Sequence, residues 1–243
     1  MELTMQQISD RLAALELESE KARAYRDCHN IMSTYSYYHS ASRHKEYMEL
    51  WAKRDDCTLE MPWGIYDGYD SIYKCYVVDH GSREDMPKER LYGRDAKPML
   101  FMHHLDTTVL VVADDAMTAR GAWLSPGHAT GPDFEHEDQF KASWQFSKYG
   151  VDFIKEDGVW KIWHMRVYPL FKGPVGEDWG KAVPFRMDDY IDSTMKCDRL
   201  PSEVPFGFRK GMSYPADQPD PPKAYKTFAD VGESFFKELN PKK

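Results

Sequence analysis

Residues 101–125 read FMHHLDTTVLVVADDAMTARGAWLS. Apolar residues recur at every second position over much of this stretch, and the polar turn at Ala113–Ala116 divides it, so it predicts strand, turn, strand. The segment FEHEDQFKASWQFSKYGVDFIKEDGVWKIWHMRVYP (134–169) has the same character. Its Asp157-Gly158 pair supplies the residue types that a two-residue hairpin turn requires. The carboxyl-terminal half of the fold is therefore a long antiparallel sheet.

Working back from Lys97, the period changes from 2 to 3.6. No Pro or Gly occurs before Pro62, and Leu12, Leu15, Leu17 and Ala22 fall on a broad apolar stripe with Glu and Lys between them. A second helical stretch, 27–52, carries Ile31, Tyr35, Tyr38, Met48 and Trp51, with a break expected near Ser40–Ser42. CTLEMP (57–62) reads as a strand, and GIYDGYDSIYKCYVVD (64–79) as a turn and a short helix. Helices first and sheet second imply an α+β domain whose helices pack on one face of a curved sheet. The domain is expected to span 1–170. Residues 171–243, rich in Pro and Gly and including YPADQPDPP (214–222), are expected to wrap that domain or a neighbouring subunit. Aromatics such as Trp179, Phe185, Phe206, Phe208 and Tyr214 argue against pure disorder there.

The composition narrows the function. The 243 residues are 42% hydrophobic and 30% charged, with net charge −8 and pI about 5.6, as in an ordinary globular protein without the basic patch that nucleic acid requires. The amino terminus lacks the basic and apolar regions of a signal peptide, and no apolar run is long enough to span a membrane, so the cytoplasm is the expected compartment. Cys28, Cys57, Cys75 and Cys197 show neither CxxC nor zinc spacing and are expected to be reduced thiols. With 7 Trp, 15 Tyr, 12 Phe and 13 Met, the chain has ample material to line a pocket for a flat, apolar ligand.

The run Tyr35-Ser-Tyr37-Tyr38-His39, followed by EYMELWAKRDDCTLEMPWGIYDG, FMHHLDTTVLVV and EDGVWKIWHM, resembles SnoaL-like proteins of the nuclear-transport-factor-2-like superfamily over about residues 20–170. The resemblance implies a cone-shaped α+β barrel in which helices close a curved sheet around a deep pocket. Within that superfamily the scytalone dehydratase and bile-acid dehydratase branch is the most similar. Carried over from that branch, the catalytic tyrosine falls on Tyr38, and the two strand histidines on His103 and His128. The acid position falls on His39 and the amide position on Tyr149, both departures, and the hydroxyl position on Ser147. The substrate-contacting set is then Tyr35, His39, Trp63, Phe101, Ser147 and Tyr149.

Read from the residues alone, His103 is either a satisfied core histidine or a proton-transfer group, since an imidazole titrates near neutrality. Alternation sets it with Phe101, Leu105 and Thr107, and turns Met102, His104, Thr108, Leu110 and Val112 to the other face. His128, in SPGHATGP, is either a strand-rim residue that reaches the same cavity or an exposed loop histidine. Tyr35 and Tyr38 share a helix face and could equally be core aromatics. His103, His104, His128, Glu135 and His136 cluster in sequence, but adjacent histidines on opposite faces speak against one metal site. No metal and no cofactor are expected. The resemblance implies a cofactor-independent lyase acting on a hydrophobic aromatic or alicyclic hydroxylated molecule by His/Tyr acid–base catalysis. Open alternatives are retro-aldol release of formaldehyde from a lignin-derived diaryl compound, ketosteroid-isomerase-like isomerisation, and non-catalytic ligand binding. A homo-oligomer is expected because the outer strand face is too apolar to be left in water, and the resemblance implies a trimer over a dimer.

Overall fold

The computed structural model describes residues 3–88, 100–133, 136–178, 196–201, 219 and 221–229. Helix α1 (Met5–Ser40) is continuous for 36 residues. Thr4 starts it with a capping box: its side chain accepts from the Gln7 N–H, and the Gln7 side chain accepts from the Thr4 N–H. It ends at the expected break, where Ser42 takes a positive φ of 54° and the chain re-enters a short helix, α2 (His44–Met48).

Strand β1 (Thr58–Met61) forms a hairpin with β2 (Gly64–Asp67). GIYD is therefore a strand where the sequence suggested a turn, because Pro62-Trp63 already supplies the reversal. The short helix α3 (Tyr69–Tyr73) and a π-helical turn at Lys74–Asp79 follow as expected. Then come β3 (Phe101–His103), β4 (Asp106–Val112), β5 (Thr118–Asp133), β6 (His136–Glu156) and β7 (Val159–Pro174). The strand order is β2-β1-β7-β6-β5-β3, with β4 also on β5, and the sheet does not close on itself. All pairings are antiparallel except β1 with β7.

Register shifts bend this sheet at Phe146/Ser147 and Asp152/Phe153 of β6, as bulges do. Helix α1 lies across the concave side, burying Ala24, Cys28, Met32 and Tyr35 against the sheet's inner residues Trp123, Tyr149, Val151, Phe153, Ile162 and Met165. The helices-then-sheet order and the α+β class are as the sequence implied. Asp157 and Gly158 turn with positive φ of 48° and 82°, which only such residues adopt readily.

Two further readings change. Residues 101–112 are not one strand: they divide at His104-Leu105, and a bulge between Asp106 and Val109, with Thr107 at φ 49°, shifts the register by one. Beyond it the alternation reverses, so Leu110 is buried and Val112 packs on the core, not outward. The outer face also holds ion pairs, Arg120 with Asp152 and Arg166 with Glu60, which removes the argument for oligomerisation from an apolar outer strand. The second change is that β5 runs straight through SPGHATGPD to Asp133, so His128 sits within a strand and not on a loop.

Of the extension, Asp198 and Arg199 bond to the backbone of Ile65, and Arg199 grips Asp67. Tyr225 is buried on the outer face, and the Phe228 N–H donates to Asp115. Trp179, Phe185, Phe206, Phe208 and Tyr214 lie outside the described residues. No helix among the described residues is long and apolar enough to cross a membrane.

Candidate functional site

Pairing in the sheet decides which side chains share the concave face. Trp123 pairs with Tyr149, Ser125 with Ser147, and Gly127 with both Gln145 and His103, so these positions point the same way. At the open end of this face a cavity of about 60 Å³ is lined by Met61, Pro62, Trp63, His103, Gln145, Ser147, Tyr149, Val167, Pro169 and Phe171. Seven apolar residues make up most of this lining, Phe146 joining Met61, Pro62, Trp63, Val167, Pro169 and Phe171, and the polar side chains are His103, Gln145, Ser147 and Tyr149.

Behind the cavity wall stands a column of rings. The His39 ring lies between Tyr35, stacked at 5.4 Å, and His103, stacked at 5.2 Å. The Tyr35 hydroxyl is 3.2 Å from that of Tyr149, in a fully buried pair. His44, Tyr76 and His80 continue the column: His39 to His44 is 5.5 Å, His44 to His80 is 5.9 Å, and Tyr76 stacks on His80 at 5.4 Å. Trp63 returns from His80 to the cavity rim. Helix α1 positions Tyr35 and His39 one turn apart, and the Ser36 hydroxyl donates to the His103 carbonyl, fixing helix to strand at this level.

Burial sets the protonation states. It lowers His103 and His44 to about 4, and it lowers His39 and His80 as well, with neighbouring imidazoles adding to the effect on His39. All four are neutral at pH 7. The Nδ1–H of His44 donates to the Gly81 carbonyl at 2.9 Å and that of His80 to the Cys75 carbonyl at 2.7 Å, so each ring keeps a basic Nε2. Desolvation raises the Tyr149 hydroxyl to about 12 and holds Tyr35 protonated too. The site thus offers an imidazole able to accept a proton beside a phenol able to give one.

A family profile described as a SnoaL-like domain matches residues 20–166. The chain belongs to the SnoaL-like family. Among solved structures it is similar to a candidate scytalone dehydratase from Novosphingobium aromaticivorans, at 14% identity and TM-score 0.48, covering 66% of this chain and 99% of that one. It is likewise similar to LinA, at 12% identity and TM-score 0.49, covering 67% and 96%. A third is hexachlorocyclohexane dehydrochlorinase LinA-type3 from Novosphingobium barchaimii, at 14% identity and TM-score 0.47, covering 66% and 96%. No curated protein matches the sequence.

In this SnoaL-like protein His103, Trp63, Ser147 and Tyr149 line the cavity, with Tyr35 and His39 directly behind. Phe101 shares the inner face two positions from His103 but is not part of the lining. Tyr38 is displaced from the role expected of it: its ring lies at the helix flank under the Arg43 guanidinium, 4.5 Å away, and Tyr35 holds the inward position. His128 is on the wrong side of the sheet. It pairs with the outward Met102 and contacts His104 at 6.0 Å and Trp144 at 4.6 Å, so it cannot meet a substrate held by His103. The error has a plain cause: Gly127, not His128, is opposite His103.

The sequence reading missed His44, His80 and Tyr76, and Tyr47, whose ring lies 5.0 Å from Tyr35 and 4.5 Å from Tyr76. Tyr76 and His80 are four apart on one helical turn, and the reading of 64–79 as a turn and a short helix stopped one residue before His80. Among the described residues no three His, Cys, Asp or Glu side chains are placed to hold a metal. Glu135 lies outside the described residues.

Proposed function

We propose that this protein is a cofactor-independent lyase acting on a hydrophobic hydroxylated small molecule, with elimination of water as its reaction. The observation that carries this reading is that neutral His103 and Tyr149 line one largely apolar cavity, the phenol backed by Tyr35 at 3.2 Å. His103 takes a proton from the carbon next to the departing group, and those electrons form the new double bond. The carbon–oxygen bond breaks, and Tyr149 gives its proton to the leaving oxygen, which departs as water. Proton return from the imidazolium to the tyrosinate restores both groups.

The low basicity of His103 suits this scheme, because the imidazolium is stabilised only when negative charge develops beside it in the same dry site. As Tyr149 becomes anionic, the Tyr35 hydroxyl donates to it and spreads the charge. General acid and base groups of this kind each contribute about two to four orders of magnitude. The enclosed volume, about 60 Å³, is well below the roughly 150 Å³ that encloses benzene. The hydroxylated end of the substrate therefore occupies the cavity, while its hydrocarbon part extends past Trp63 and Phe171 at the open side.

The test is an assay of the purified chain against aromatic and alicyclic hydroxy compounds, with products read by mass spectrometry. Loss of water that disappears in both His103→Ala and Tyr149→Phe supports the reading. Release of an aldehyde with carbon–carbon cleavage would replace elimination by the retro-aldol alternative. Tight binding without turnover would place the protein among non-catalytic relatives.

A further inference from the structure

The amino-terminal half of α1 stands clear of the folded body. Met5, Ile8, Leu12 and Leu15 are 81%, 46%, 56% and 68% exposed; the first buried residue of the helix is Ala24, and Lys21 just before it pairs with Asp114 at 3.0 Å. The four exposed residues are spaced 3, 4 and 3 apart, and Ser19 and Ala22 extend the series by 4 and 3. That is a heptad seam with Met5, Leu12 and Ser19 at a, and Ile8, Leu15 and Ala22 at d. At 100° per residue this seam lies on the opposite side of the helix from Ala24, Cys28, Met32 and Tyr35. The helix therefore carries two apolar stripes back to back, one seated on the sheet and one facing away from it.

We infer that this seam binds a second copy of the same chain as a parallel two-stranded coiled coil. The flanking charges select the partner and its direction. In a parallel pair each g residue faces the e residue five positions on in the other copy. Arg11 of one copy then meets Glu16 of the other, and Glu18 meets Arg23, so the twofold axis produces four attractive pairs and no repulsive one. The antiparallel register that keeps all four large apolar residues in contact places Arg11 against Arg11. The next antiparallel register sets Met5 on Ala22 and Ile8 on Ser19, and so wastes half the seam.

The geometry of the rest of the chain permits this pairing. Because each body sits on the far stripe, two bodies joined along the seam point away from each other. The seam is also helical before any partner arrives, since the Thr4–Gln7 capping box closes its first turn and the buried half of α1 supports its last. The seam lies, but for Ala22, ahead of the stretch that the family profile matches. It points to two copies, where the resemblance implied three.

Sedimentation and light scattering on the full chain at micromolar concentration test the inference. The expected result is twice the 28.4 kDa chain mass for the natural sequence, and the single-chain mass for Leu12→Glu/Leu15→Glu with an unchanged circular dichroism spectrum. Arg11→Glu should weaken the dimer several-fold, and adding Glu16→Arg should restore it. Should the double variant fold poorly, Leu15→Cys gives a second measurement. Under mild oxidation it should cross-link to itself, as only a parallel in-register pair allows for this layer, whereas the unmodified chain should not. A monomeric natural chain, a trimer, or an oligomer unaffected by Leu12→Glu/Leu15→Glu would overturn the proposal.

Discussion

The His103 ring rests on the backbone of Gly127: a Cβ built on that glycine would stand 3.1 Å from His103 Nδ1 and 2.9 Å from the carbonyl oxygens of Gln145 and Met102. The missing side chain is what lets an imidazole lie flat against the strand opposite and still reach the cavity. Gly127→Ala should consequently displace His103 or the strand that bears it. Overpacking of this kind costs about 1–3 kcal/mol, and small displacements of a proton-transfer group are costly in rate. We expect turnover to fall about tenfold or more while the fold persists, read by kinetics beside a thermal melt. Normal kinetics in Gly127→Ala would show that the contact does not position the imidazole.

His103→Ala should fold normally and lose at least about a hundredfold in kcat/KM, as expected for a general base. Tyr149→Phe should lose a comparable amount. Tyr35→Phe should lose less, because its hydroxyl supports Tyr149 without itself lining the cavity. Equal effects for Tyr35 and Tyr149 would mean that the roles are shared or exchanged.

His128→Ala should keep activity within about twofold, since surface substitutions away from a site are usually small in effect. His128, His104 and Trp144 form a cluster on the outer face, across the sheet from the proposed chemistry. A large loss of kcat in a well-folded His128→Ala protein would contradict the site as described.

The buried histidines link stability to pH. An unfolded histidine titrates near 6.5, whereas His44 and His103 in the folded chain titrate near 4, and His39 and His80 are lowered in the same direction. In that window the unfolded chain binds protons that the folded chain refuses, so stability rises with pH. The contribution is fully present above about 6.5 and is lost as the pH falls toward 4, on the order of 3 kcal/mol for each fully shifted group. Urea melts should therefore show a falling midpoint between neutrality and pH 4, and His44→Gln should flatten the slope. The acid limb of kcat/KM should likewise sit near pH 4. A limb near 6.5 would indicate a solvated base instead of His103.

The architecture was legible where pattern is local. The change of period after Lys97, the Asp157-Gly158 turn and the break at Ser42 all rest on chemistry within a few residues. The course of β5 was not, because Pro126 and Pro132 ordinarily end a strand. Pro126 escapes the penalty by lying opposite His104, where β3 gives way to β4 and the ladder is already interrupted. The same interruption hid the true face of Leu110 and Val112, since counting by twos fails across a one-residue bulge. For the site, the strand residues His103, Ser147 and Tyr149 could be read from alternation with the resemblance. His44 and His80 could not, because short helices and loops bring them to the column, and only the three-dimensional packing shows that His39 joins them to His103.

The outer face carries the last prediction. Asp152, fully buried, accepts from Arg120 at 3.3 Å, from the His164 ring at 3.1 Å and from the Tyr225 hydroxyl at 3.4 Å. Tyr225 belongs to the extension, and the Arg120 guanidinium lies 4.8 Å from its ring centre, so the phenol both bonds the carboxylate and roofs the cation. Replacing Asp152 with Ala removes a buried charge from a network built around it, and breaking such a pair typically costs about 3–5 kcal/mol. Tyr225→Phe removes a single hydrogen bond, worth about 1 kcal/mol, and Tyr225→Ala removes the roof as well. If the extension is held through this carboxylate, Tyr225→Ala and Asp152→Asn must couple. Their combined effect in urea denaturation should then differ from the sum of the single effects by more than about 0.5 kcal/mol. Simple additivity would show that Tyr225 stabilises the sheet only by covering it, without acting through Asp152.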